Sequence, residues 1–148
     1  MTPIELIAGQ LDWANKNICN NIDFIPDDKL NWKPAPTSKS PLEIVEHMTG
    51  TLNMMTAGVK GEPEKELPTV TTKAEAKQLV NQMITDHVAF IKTLSDEQLA
   101  SSVTVGPLGE FPMAMAAALP VIECINHHGQ FTYIETLLGD DESHLILH

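Results

Sequence analysis

Residues 121 to 141 read VIECINHHGQFTYIETLLGDD and set Glu123, Cys124, Asn126, His127 and His128 within an otherwise apolar stretch. Carboxylate, thiolate and imidazole are the groups that ligate divalent ions, and imidazole and carboxylate also carry protons. In a helix, residues four apart project from one face about one turn apart. That spacing joins Glu123 to His127, but it equally joins Cys124 to His128 and Asn126 to Gln130. Each residue rotates the helix by about 100°, so the pairs point in different directions and helical geometry alone does not choose between them. A second element has to break the tie. His47, in PLEIVEHMTG, follows the apolar positions Ile44 and Val45 and lies near enough to the core face to meet the last helix across a bundle interior. One carboxylate and two imidazoles leave coordination positions open for water or substrate, which is the pattern of a catalytic rather than a structural metal site.

The elements that must position these side chains are legible as periodic segments. Thr2 caps a first helix with Pro3 at its first position, and Ile4, Ile7, Leu11, Ala14, Ile18, Ile22 and Ile25 recur at three- and four-residue steps. The stretch PDDKLNWKPAPTSKSP then carries four prolines in sixteen residues and cannot continue a helix. Ser40 and Pro41 open a second helix whose apolar stripe is Val45, Met48, Leu52, Met55 and Val59, closed by Gly61 and Pro63. A third begins at the capping box Thr72 to Glu75 and carries Val80, Met83, His87, Ile91 and Leu94 on one side. After a connection with one short turn at Ser95 to Leu99, a fourth helix runs from about Pro112 to Leu138, with Pro120 expected to kink it and Gly139 to cap it. Strand-like alternation is confined to SVTV. The prediction is an all-α, antiparallel up-and-down four-helix bundle occupying residues 1–148 as a single domain.

Composition narrows the function. Nine lysines and no arginine stand against twenty acidic residues, a formal net charge of -11. Such a field repels nucleic acid and anionic membrane surfaces, so neither is expected as a partner. Without arginine the chain also lacks the rigid bidentate fork used to clamp phosphates and carboxylates. Cys19 and Cys124 are far apart and show no zinc-knuckle or disulfide spacing, so they read as reduced thiols. Neither a membrane span nor a signal peptide is evident, and a cytoplasmic location is the expectation.

Two segments carry a resemblance. SPLEIVEHMTG is similar to the second-helix histidine motif of the DinB-like family of four-helix bundles, and HHGQFTYIETLLG resembles that family's closing pattern of histidine, Gly-Gln, an aromatic and a terminal Leu-Gly. The likeness extends over nearly the whole chain, including DDKLNWKP after the first helix. It implies a metal held by one histidine of the second helix and two residues four apart on the last. Aligned on Gly129 and Gln130, it makes His127 the last ligand, His47 the second-helix ligand, and Glu123 a replacement for the family's usual histidine. Asn126 stands where a histidine is common and His128 where an arginine is common. An oxygen donor at Glu123 shifts preference towards harder ions, and the implied cofactor is a divalent zinc, nickel, manganese or iron ion.

Other readings compete. His87 is expected to be a hydrogen-bonded core histidine, Cys124 a small buried hydrophobe, and the methionines at 48, 54, 55, 83, 113 and 115 core filling or a pocket wall. His128 reads as a surface or interface residue, or as a group supporting the site from outside the ligand set. The resemblance implies a metal-dependent hydrolase or thiol-dependent transferase acting on a small molecule. The alternative is a non-catalytic bundle with a degenerate metal site that binds a small apolar ligand or acts through a dimer surface. A homodimer is expected from the resemblance and from the apolar residues of HLILH; that tail either packs on its own bundle or forms an interface strip.

Overall fold

The computed structural model describes residues 1–148. Four long helices form it: α1 (Pro3–Phe24), α2 (Pro41–Lys60), α3 (Lys73–Ile91) and, after the single turn α4 (Asp96–Leu99), α5 (Met113–Leu137). Helices α1 to α4 all start with a reciprocal capping box, in which the Thr or Ser at the cap accepts the N–H three residues on while the Glu or Gln there accepts the cap's own N–H. Sequence showed this device at Thr72 and Glu75; Thr2 with Glu5 and Ser40 with Glu43 repeat it. Gly61 ends α2 in the left-handed conformation, φ 67°, which an L side chain resists.

The all-α bundle is the expected one, but its course differs from simple up-and-down. Lys77 near the start of α3 pairs with Asp23 at the end of α1, so these two helices are antiparallel. Thr56 of α2 meets His87 of α3, both near their C-terminal ends, and Trp13 and Asn21 of α1 meet His128 and Glu135 of α5 in the same order. Hence α2 is parallel to α3 and α1 to α5. Helices α1 and α2 lie diagonally, each packed between α3 and α5. The cause lies in the connections. Residues 61–72 return along the bundle in extended form, burying Val70, and so deliver α3 to the end where α2 began.

The core runs through all four long helices, with Leu11, Ile18, Met48, Leu52, Ile91 and Phe131 essentially sealed from solvent. SVTV does form a strand: β1 (Ser102–Thr104) pairs antiparallel with β2 (Glu110–Pro112), Val103 opposite Phe111. This hairpin covers a smaller apolar cluster of Met55, Val59, Val105, Met113 and Ala116 at one end of the bundle. Helix α5 continues through Pro120, whose missing N–H leaves the turn before it short of a ladder bond. In that turn the carbonyl of Ala117 accepts the Nε2–H of His87 at 2.9 Å, and Nδ1 of His87 accepts from the Thr56 hydroxyl, also at 2.9 Å. His87 is thus a satisfied core histidine, kept neutral by burial, which lowers its pKa. Met115 departs from the expectation of core filling: it is 56% exposed. The C-terminal tail packs on its own bundle, gripped by an asparagine row on α1. Asn17 donates to the carbonyl of Ile146 and accepts its N–H, and Asn20 donates to the carbonyl of His144. No helix is long and apolar enough to cross a membrane.

Candidate metal centre

The tie between the two pairs on the last helix is settled by what surrounds them. Cys124 and Phe131 of α5 point into the core, and Glu123 and His127 sit to one side of that line, towards α2. His47 approaches from α2. Donor atoms of His47, Glu123 and His127 all lie within 4.8 Å of one another, and the rings of His47 and His127 meet edge to face with centroids 5.3 Å apart. His127 is buried, Glu123 half-buried and His47 exposed, so the cluster opens to solvent on the His47 side.

Hydrogen bonding around His127 decides what the cluster can do. Its Nδ1–H donates to Oε1 of Gln130 at 2.8 Å, one turn further along α5. Its Nε2 lies 2.8 Å from Oε1 of Glu123, so both ring nitrogens face acceptor oxygens. A neutral imidazole has one ring proton and donates to only one of them, so the second contact takes either a second ring proton, which makes an ion pair with Glu123, or a metal ion in its place. Gln130 therefore does for His127 what carbonyl or carboxylate partners do for metal-bound histidines: it fixes the tautomer and the ring orientation. The role of Gln130 was not read from the sequence, although its place three residues after His127 on the same face was visible there. The donor set fits a metal. Bonds of about 2.0–2.2 Å bring ligands of one ion to within about 4.4 Å of each other, and the exposed His47 side chain is free to close what remains.

The competing pair is not assembled. Cys124 is fully buried, and burial, with the Glu123 charge beside it, pushes its thiol pKa up to about 12. His128 is half-buried and turns away from the cluster, towards α1. Its Nδ1–H donates to Oδ1 of Asn21 at 2.6 Å, and its ring stands edge-on to Trp13. Asn21 in turn donates to Oε1 of Glu135 at 2.7 Å. Burial lowers the His128 pKa and raises that of Glu135. The rotation of about 100° between neighbouring residues is what sends His127 and His128 to different helices.

Comparison with known proteins agrees with the fold. Solved structures similar to this chain include a DinB-like protein from Bacillus cereus, 17% identical with a TM-score of 0.75 over 91% of this chain and 92% of that one. A DinB-like protein from Bacillus subtilis is 19% identical with a TM-score of 0.73, covering 96% of both chains. A conserved protein from Enterococcus faecalis is 19% identical with a TM-score of 0.68 over 93% of this chain and 97% of that one. No curated protein matches the sequence. The DinB superfamily model matches residues 10–131, a span that includes His47, Glu123, His127 and Gln130, and the chain belongs to the DinB superfamily.

Proposed function

We propose that His47, Glu123 and His127 hold one divalent metal ion and that the chain is a small metal-dependent enzyme, a hydrolase or a thiol-dependent transferase acting on a small molecule. The observation that carries this reading is the convergence of one donor atom each from His47, Glu123 and His127 to within 4.8 Å of one another, from two helices. A bound ion with open positions would lower the pKa of a coordinated water or thiol into the neutral range. The chain's own groups supply the rest. Gln130 holds His127 rigid, Glu123 adds one negative charge to two neutral donors, and the exposed His47 leaves the open side facing solvent. The mixed oxygen and nitrogen set suits manganese, iron, nickel or zinc.

A second reading has one observation in its favour. Helix α5 is apolar on its outer face as well, where Met115, Ile122, Ile125 and Tyr133 are exposed. A non-catalytic bundle acting through this surface would need no ion, the Glu123–His127 pair being bridged by a proton. A homodimer packed through helices belongs to both readings. Turnover assays against ester, amide and thiol-acceptor substrates separate them: the enzyme reading expects turnover that disappears on chelation and in His47→Ala and returns on adding metal to the native protein. Turnover indifferent to both treatments would contradict it.

A further inference from the structure

A cavity of about 300 Å³ lies in the groove between α2 and α5, lined by Ile44, Gln130, Tyr133 and Ile134 and by Ser38 and Lys39 of the Pro-rich loop. Its position relative to the metal cluster follows from the chain. Ile44 precedes His47 by three residues and Gln130 follows His127 by three, and because α2 and α5 run antiparallel both steps lead the same way along the groove. Three to four residues advance a helix by about 5.4 Å, so the cavity begins about one turn from the donor atoms and reaches Ile134 about two turns away.

Gln130 belongs to both places. Its Oε1 is occupied by His127, which leaves its amide N–H groups for an acceptor in the cavity. The walls are apolar at Ile44 and Ile134, and the Tyr133 ring beside them is 65% exposed. Lys39 is the one cation of the lining and forms no ion pair within the chain. The nearby carboxylate, Glu43, is already taken by Lys33 at 2.7 Å and by the Ser40 N–H at 2.8 Å. The first-turn amides of α2 are occupied too: Leu42 donates to Leu30, and Glu43 and Ile44 donate to Ser40. Negative charge entering the cavity therefore meets Lys39 and the Ser38 hydroxyl rather than a backbone cradle. In a chain of net charge -11 an uncompensated lysine beside an apolar wall selects for an anion that also has apolar surface.

We propose that this cavity binds the non-reacting end of the substrate: a small molecule with a short apolar middle and a terminal carboxylate or similar anion at Lys39, whose other end reaches the metal cluster. The assignment of the reacting end rests on the metal reading above; the cavity itself does not. The probe for both together is 6-mercaptohexanoate on cobalt-loaded protein, read by thiolate-to-cobalt charge-transfer absorption, with 6-mercaptohexanol as the uncharged control. Lys39 is exposed and an ion pair at such a site is modest, so the carboxylate probe should bind about threefold to fivefold tighter, and Lys39→Gln should bring the two probes to near-equal affinity. Equal affinity of both thiols for the native protein, or a Lys39→Gln change that weakens both alike, would overturn the proposal. Should cobalt fail to bind, the metal reading falls, and the cavity is decided by methyl NMR of metal-free protein with hexanoate. Shifts centred on Ile44 and Ile134 and lost in Lys39→Gln support it, and unmoved methyls refute it.

Discussion

Four side chains of α5 show how much one residue of rotation decides. Glu123 and His127 face α2, Cys124 faces the core, and His128 faces α1, where it completes the chain from His128 through Asn21 to Glu135. The spacing of four was legible in the sequence; the choice of face was not, because Ile122 and Ile125 look like core residues yet are 67% and 48% exposed. Mainly the family likeness pointed to His127, and the approach of its donor atom to those of Glu123 and His47 gives that choice a geometric basis. Glu135 carries a separate consequence. It is 3% exposed, and burial raises its carboxyl above the usual 4.5, with the Asp140 charge adding and the Asn21 hydrogen bond and His144 subtracting. A carboxyl raised in the folded state binds its proton more tightly there than in the unfolded chain. Its ionisation therefore costs stability as pH climbs through the folded value, and the cost is absent below the unfolded one. Gln at this position keeps an acceptor for Asn21 and cannot ionise. Urea unfolding should find Glu135→Gln close to the native protein near pH 4 and more stable than it near pH 8. A variant relatively less stable at pH 8 would show that the carboxylate is stabilised by its surroundings.

Helix boundaries were the most legible features because local chemistry sets them: capping boxes, Pro at the first position and Gly61 act within a few residues of themselves. Helix direction was not, since nothing in the segment from Gly61 to Thr72 announces that it crosses the bundle rather than turning. The hairpin was half visible. SVTV gave the first strand, while the second, Glu110–Pro112, ends in a proline and is too short to show a period. Its seat on α2 is visible at Gly58, where an added Cβ would lie 2.9 Å from the Cα of Val105. Backbone cannot rotate aside, so overpacking of about 1–3 kcal/mol should outweigh the helix-propensity gain of up to about 1 kcal/mol. Gly50, in the same helix with open space around it, is the control. Gly58→Ala should lower the unfolding midpoint and Gly50→Ala should raise it slightly. Two increases would mean that the hairpin does not rest on Gly58.

At the scale of the whole molecule, the outer face of α5 remains apolar while its inner face is already spent on the core and the candidate centre. An exposed stripe of Met115, Ile122, Ile125 and Tyr133 is the kind of surface a second copy covers, and the proposed homodimer rests on it rather than on the tail, which is anchored to α1 by Asn17 and Asn20. Sedimentation should find a dimer at micromolar concentration and Ile122→Lys should give a folded monomer; a native protein monomeric up to millimolar concentration would contradict this. The central claim concerns metal, and the bound content of each chain tests it most directly. Elemental analysis of protein produced in metal-replete medium and purified without chelators should find close to one divalent ion per chain in the native protein and in His128→Ala, and almost none in His127→Ala. Equal metal in all three, loss in His128→Ala alone, or none in the native protein would contradict the assignment of His47, Glu123 and His127.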